Sequence, residues 1–298
     1  MIMNKLKVSI IQYAPNYADV DANLKRHIEI IRERADEADL VVFPELSLTG
    51  YFLRDLTHRM MLSSGELVKK INDGLKKKKL PDVILGFVEE GESHNPYNSL
   101  IYLEHAAKGY KVKYIHRKCF LPTYGMFEDA RFFAPGRNLG VFETRFGKIG
   151  MLLCEDAWHP MSFYVEALKG AEIIVVCSAS PARGVGGLKP HNLEHWDKLN
   201  SLAAATWATY IVYASRTGVE DSVVFSGGSG IFNPAGDKVA KLQEVAVPKE
   251  KYEALNYEIK KSEIRRARET TPLLRDENLA LFSEEINHLK LNYYGKNK

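Results

Sequence analysis

The feature that most constrains this chain is a set of short, unbroken apolar runs. Val41-Val-Phe43, Val83-Ile-Leu85, Ile149-Gly-Met-Leu-Leu153 and Ile173-Ile-Val-Val-Cys177 are apolar at every position or nearly so. A strand with that pattern has no solvated face, so it must be covered above and below. Runs of this length are too short for stable helices, and Val and Ile suit a pleated, buried surface. Amphipathic helices alternate with them and can supply the cover. Leu24, Ile28, Ile31, Ala35 and Ala38 line one helical face, with Asp19 or Asp21 as its cap. Further helices are expected from about His159 to Lys169, ending at Gly170, and from about Leu193 to Ala208. A helix near 61–79 matches the period less closely, and the lysine run 76–79 reads as its solvated end. Later strands are joined by hairpin connections at His105–Gly109 and Asn233-Pro-Ala-Gly-Asp237. Strand–helix units followed by hairpins imply a layered α/β protein in which two mixed sheets share one core, with helices outside.

Charge and cysteine usage narrow the function classes. The 298 residues carry 41 Lys+Arg and 38 Asp+Glu, a net charge of +3. That is no electrostatic footprint for nucleic acid or an anionic membrane. No run approaches membrane-spanning length, and the N-terminal MIMNKLKVSIIQYA reads as a first strand rather than a signal peptide. Cys119, Cys154 and Cys177 form neither a disulfide framework nor a metal-site spacing, so a reducing, cytoplasmic setting is expected. No metal is expected: there is no HExxH, and His191 and His195 have no evident third ligand. Ser226-Gly-Gly-Ser-Gly230 lacks the Lys-Ser/Thr of a phosphate loop and reads as a turn.

Three strand-like stretches end in chemically competent residues, where ligand sites form in α/β sheets. Val41-Val-Phe-Pro-Glu45 ends in a carboxylate, Val112-Lys-Tyr-Ile-His-Arg-Lys118 in a cation, and Ile149–Cys154 in a thiol followed by Glu155-Asp156 and a helix. Cys154 is the candidate nucleophile, since strand–turn–helix is where other hydrolases expose one. Lys118 would supply a positive field and Glu45 a base. Glu128 is a loop acid in Tyr124-Gly-Met-Phe-Glu128-Asp-Ala-Arg131. Spacing alone leaves bland alternatives open: an inert buried cysteine, a solvated loop glutamate, a surface lysine and a structural acid. Cys119 and Cys177 read as inert.

These segments carry a resemblance. Val42-Phe-Pro-Glu45-Leu-Ser-Leu-Thr-Gly-Tyr51, Arg117-Lys118-Cys-Phe-Leu-Pro-Thr-Tyr-Gly-Met-Phe-Glu128 with Arg131-Phe-Phe-Ala-Pro-Gly136, and Gly147-Lys-Ile-Gly-Met-Leu-Leu-Cys154-Glu-Asp156 resemble, in order, three blocks of the nitrilase or carbon-nitrogen hydrolase superfamily. The resemblance implies a four-layer α-β-β-α sandwich and a catalytic Glu45, Lys118 and Cys154. It also implies Glu128 beside Lys118, the Glu155 backbone N–H as oxyanion donor, no cofactor, and a homodimer or higher homo-oligomer. Within the superfamily, Cys154-Glu-Asp-Ala-Trp158 and the Tyr124–Gly136 segment are similar to the glutaminase domain of glutamine-dependent NAD synthetase. Phe52-Leu-Arg54 departs from the Pro-rich stretch of that group, and no synthetase region is expected after the hydrolase domain. Cys154-Glu also departs from the Cys-Trp-Glu of true nitrilases.

The expected activity is thiol-dependent hydrolysis of a small linear amide with ammonia release. The alternatives are a glutaminase subunit feeding ammonia to a separate ligase, an N-carbamoyl amidohydrolase or nitrilase, and a non-catalytic protein of the same fold. Tyr124, Trp158, Ser180 and Arg183 are expected near the substrate, with Arg183 facing a carboxylate. The hydrolase domain is expected over 1–262. Residues 263–298 form an extension whose Leu279, Leu281, Phe282, Ile286 and Leu289 are expected at an oligomer interface.

Overall fold

A computed structural model describes residues 3–75, 79–183, 190–244 and 252–294. Its strands are β1 Lys5–Tyr13, β2 Leu40–Val42, β3 Asp82–Glu90, β4 Pro96–Ala106, β5 Gly109–Arg117, β6 Val141–Thr144 and β7 Gly147–Leu153. They continue as β8 Ile173–Ser178, β9 Tyr210–Ser215, β10 Thr217–Glu220, β11 Val223–Ser226, β12 Gly230–Phe232, β13 Lys238–Lys241 and β14 Tyr252–Lys260. The helices are α1 Val20–Glu33, α2 Ser64–Gly74, α3 Asp129–Phe132, α4 Glu155–Trp158, α5 Pro160–Leu168, α6 His191–Trp207, α7 Lys261–Thr270 and α8 Leu279–Tyr294.

Two six-stranded sheets form, ordered β14-β1-β2-β3-β4-β5 and β13-β12-β9-β8-β7-β6, with β10 and β11 as a separate ribbon. Each is mixed. β1, β2 and β3 are parallel in the first and β7, β8 and β9 in the second, with antiparallel strands at the edges.

The apolar runs divide by parity, which explains why they are unbroken. Ile173, Val175 and Cys177 of β8 point into the core between the sheets, where they meet Val8, Ile10, Val42 and Ile84. Ile174 and Val176 point the other way, under Trp196 and Ala203 of α6 and Phe163 of α5. On the first sheet, Ile11, Val41 and Val83 pack under Leu24 and Ile31 of α1 and Leu67 and Ile71 of α2. The layers are therefore α-β-β-α, as expected.

Local signals agree with the elements. The Asp19 side chain accepts from the Ala22 N–H at the start of α1. Ser63 and Glu66 close a capping box on α2, a stronger start than its apolar period suggested. Of the lysine run 76–79, residues 76–78 lie outside the described residues. The segment after β14 has two characters. Helix α7 packs on its own chain: Ile264 is buried and Arg268 donates to the carbonyls of Ala171 and Ala208. Helix α8 leaves Leu279, Leu281, Phe282, Ile286, Leu289 and Leu291 exposed. No helix among the described residues is long and apolar enough to cross a membrane.

Candidate active site

The carboxyl ends of β2, β5, β7 and β8 meet at one edge of the sandwich. Glu45 follows β2, Lys118 follows β5, Cys154 follows β7, and Ser178 closes β8. Glu45 and Lys118 have essentially no solvent exposure, and Cys154 is also buried.

Glu45 is held by three donors. Its Oε1 accepts from Lys118 Nζ at 2.9 Å and from Asn98 Nδ2 at 2.8 Å, and its Oε2 accepts from the Ala179 N–H at 2.6 Å. The loop carrying it lies directly on β3 at Gly86, where a Cβ would stand 2.4 Å from the Leu46 nitrogen. Only glycine permits that approach.

Lys118 also donates to Asp129 Oδ2 at 2.7 Å, while Asp129 Oδ1 accepts from the Tyr51 hydroxyl at 2.5 Å. Burial by itself pulls the Lys118 ammonium toward losing its proton. The charges of Asp129 and Glu45 outweigh it and hold the ammonium well above its ordinary range. Tyr51 is fixed in turn by its own N–H, which donates to Glu220 Oε1 at 2.8 Å; Glu220 pairs with buried Arg216 at 2.8 Å.

Here one expectation needs correction. Glu128 does not stand beside Lys118: its side chain is half exposed and lies 3.5 Å from Arg131. Asp129 takes that place. Adjacent residues at the start of a helical turn project in different directions, so only one of the two acids can face inward.

Cys154 has φ 44° and ψ −98°, a backbone conformation strained for a residue with a side chain. The chain turns sharply there from β7 into α4, so the thiol faces Glu45, Lys118 and Ser178. Ser178 Oγ donates to Cys154 Sγ at 3.4 Å. Burial, with the Glu45 charge acting in the same direction, pushes the thiol well above its ordinary range, against the pull of Lys118. The resting sulfur therefore carries its proton at neutral pH. Glu155 opens α4, so its N–H has no intrahelical acceptor.

Beneath the site, Asp156 ties two strand ends together. Its Oδ2 accepts from His116 Nε2 at 2.7 Å and from the Leu153 N–H at 3.1 Å; its Oδ1 accepts from the N–H groups of Cys119 and Phe120, both at 2.9 Å. His116, Cys119 and Asp156 bring ligand-type atoms within 4.8 Å of one another. The aspartate's lone pairs are already engaged by those four donors, which suits a brace better than a cation.

The expected substrate residues separate. Tyr124 donates to Glu155 Oε2 at 3.0 Å, and the Arg183 guanidinium lies 4.7 Å from the Phe127 ring centroid and 5.9 Å from that of Tyr124. Those side chains form one group. Trp158 instead stacks on His195 of α6, with centroids 4.2 Å apart, and Ser180 Oγ accepts from Asn192 Nδ2 at 3.1 Å. Sequence reasoning misses Asn98 and Asp129; Ser178 opens the loop carrying Ser180 and Arg183 that is expected near Cys154. A polar Asn98-Ser99 pair inside an apolar strand was the available signal for the first.

The arrangement can do nucleophilic chemistry: a strained thiol, a carboxylate fixed by three donors, and a buried ammonium that remains charged. The carbon-nitrogen hydrolase family pattern matches residues 7–265. The glutamine-dependent NAD(+) synthetase of Acinetobacter baylyi is 30% identical over 79% of this chain and 41% of its own length. The chain thus spans about two fifths of that relative. A citrullinase of Francisella tularensis is 26% identical over 80% of this chain and 85% of its own. A carbon-nitrogen hydrolase structure from Helicobacter pylori superposes with a TM-score of 0.80 at 22% identity, covering 94% of this chain and 98% of that one.

Proposed function

The chain belongs to the carbon-nitrogen hydrolase family, and we propose on that premise that it cleaves the C–N bond of a small linear amide through a thioester on Cys154, releasing ammonia. Its class is that of a thiol-dependent amidase. The observation that carries the reading is the buried Glu45–Lys118–Asp129 ion cluster set against the strained Cys154.

Each group has a role that follows from its surroundings. Glu45 takes the thiol proton as the sulfur attacks the carbonyl carbon. The base must act in step with attack because the resting thiol is not ionised. Negative charge forms on the carbonyl oxygen, where Lys118 and the Glu155 N–H stabilise it; preorganised donors of this kind typically contribute about 3 kcal/mol each. Asp129 keeps Lys118 charged and aimed. Glu45 passes its proton to the departing ammonia, then activates the water that hydrolyses the thioester.

Arg183, beside Tyr124 and Phe127, supports a preference for amides that carry a carboxylate. A second reading is favoured by the likeness to NAD synthetases: a glutaminase that hands ammonia to a separate ligase. The citrullinase likeness keeps ureido and N-carbamoyl substrates in the test. The exposed apolar residues of α8 support packing across a subunit boundary in a homodimer or larger assembly.

A panel of glutamine, asparagine, N-carbamoyl amino acids, citrulline, neutral aliphatic amides and nitriles, read by ammonia release, tests the substrate reading. Carboxylated amides should lead, and R183A should erase that lead by raising KM. Fast release from a neutral amide with none from carboxylated ones would overturn it. Glutamine turnover that appears only when a ligase is added would select the second reading.

A further inference from the structure

The side chains on the helix-facing side of the second sheet share a parity that places hydroxyls beside the thiol. Val176 pairs with Tyr213 and Ser178 with Ser215 across β8 and β9, and Leu152 pairs with Val176 across β7 and β8. Cys154, two residues past Leu152, continues the same face. Ser178 Oγ donates to Cys154 Sγ at 3.4 Å, and both groups are buried. The next N–H along the chain, that of Ala179, donates to Glu45 Oε2 at 2.6 Å. Two consecutive residues at the end of β8 therefore hold the nucleophile and the base. Behind Ser178 is the Tyr213 hydroxyl. It is buried beside Ser178, Ser215 and Cys154 and, among the described residues, meets no partner in hydrogen-bond geometry. A buried donor left idle is costly, so a nearby acceptor is a strong attractor.

We propose that Ser178 is a further catalytic residue of the hydrolysis, a hydroxyl that donates to the sulfur and holds the thiolate as Glu45 takes its proton, and that Tyr213 is a positioning residue that sets the direction of that bond. The inference rests on Cys154 being the nucleophile. A thiol has one proton. If it donated that proton to Ser178, none would point at Glu45, and the base would have nothing to remove. With Ser178 as donor, the S–H is free to point at Glu45 Oε2. A serine hydroxyl has one proton and two acceptor lone pairs. When the Tyr213 O–H closes on one of those lone pairs from behind, Ser178 is left to donate forward. The only bond broken in this step is S–H: its proton moves to Glu45 Oε2, and Ser178 and Tyr213 keep theirs. The other titratable groups near the sulfur are Glu45 and Glu155, which disfavour a thiolate, Lys118, which favours it, and the Tyr51 and Tyr213 hydroxyls. Among the described residues, Ser178 is the neutral side-chain donor bonded to the sulfur, and it adds no titration of its own.

The test is the pH dependence of Cys154 alkylation by iodoacetamide in the full chain, read by mass spectrometry at that residue, alongside kcat and KM. We expect S178A to alkylate about tenfold more slowly at pH 7, with the midpoint moved up and kcat lowered while KM holds. S178T should restore the rate, because it keeps the hydroxyl. Y213F should move both readouts in the same direction by about threefold. Wild-type alkylation rate and midpoint in S178A would overturn the proposal, as would an S178T as slow as S178A. If S178A fails to fold, S178T and Y213F carry the test, and a Y213F with unchanged pH profile overturns the positioning role. A wild-type chain whose Cys154 resists alkylation, together with an active C154A, would instead overturn the underlying nucleophile.

Discussion

Glu45 and Glu166 are equally shut off from solvent, yet one sits among the strand ends and the other in the layer between the second sheet and α5. Glu45 accepts from a lysine, an asparagine and a backbone N–H. Among the described residues, Glu166 has no donor in hydrogen-bond geometry at either oxygen. It lies against Gly150, where a Cβ would stand 2.2 Å from its Oε2. Burial, with the nearby Asp156 charge, raises its carboxyl well above the ordinary range, so it holds its proton to higher pH than a solvated glutamate does. Burial alone does not make a reactive carboxylate; matched donors do. The thiols repeat the contrast. Cys177 points into the apolar core between the sheets, whereas Cys154, whose N–H donates to the Cys177 carbonyl at 2.9 Å, faces a cation and a hydroxyl donor.

The sharpest break in this comparison is between the thiols. C154A should lose at least about 10³-fold in kcat/KM, since the covalent route disappears, while its melting transition is retained. C177A should retain most activity and lose about 1 kcal/mol of stability from the small cavity left in the core. Comparable kinetics in the two variants would erase the distinction drawn between the regions.

A second contrast lies between neighbouring acids. D129N should lower kcat by about 10²-fold, because the ammonium of Lys118 loses one of its two carboxylate partners. E128Q should stay within about twofold of wild type, as expected for a half-exposed group. The reverse ranking, from steady-state kinetics on both variants, would return Glu128 to the site.

Glu166 gives a stability prediction with a definite sign. Its folded pKa is raised, so the unfolded chain releases the proton first as pH rises through the ordinary glutamate value. The native state then binds more protons than the unfolded state, and stability falls with rising pH until the folded pKa is passed. E166Q removes that slope. Urea unfolding should show E166Q gaining on wild type by about 1 kcal/mol or more between pH 5 and pH 8. A pH-independent difference would mean that Glu166 is ionised and partnered in solution.

The smallest effect concerns α8. Replacing Phe282 and Ile286 with Ser should lower the assembled mass seen by light scattering while leaving the melting transition nearly unchanged, since both are exposed in the single chain. A monomer of the wild-type chain at working concentration would contradict the interface.

Much of this was legible in the sequence. The unbroken runs of β7 and β8 demanded cover on both faces, and their polar ends marked where chemistry would gather. What could not be read was direction. Glu128 and Asp129 are adjacent, and the phase of the four-residue turn α3, fixed by tertiary contacts, selects the inward one. Trp158 and Ser180 border the site in sequence, but packing against α6 turns both toward His195 and Asn192. Ser178 follows the core-facing Cys177, and only the parity of β8 puts it on the nucleophile's side of the sheet.

The most direct test of the central claim is ammonia release from carboxylated amides by the purified full chain, with C154A measured in parallel. Wild type should release ammonia, and folded C154A should release none above background. Release at the wild-type rate by C154A would contradict it.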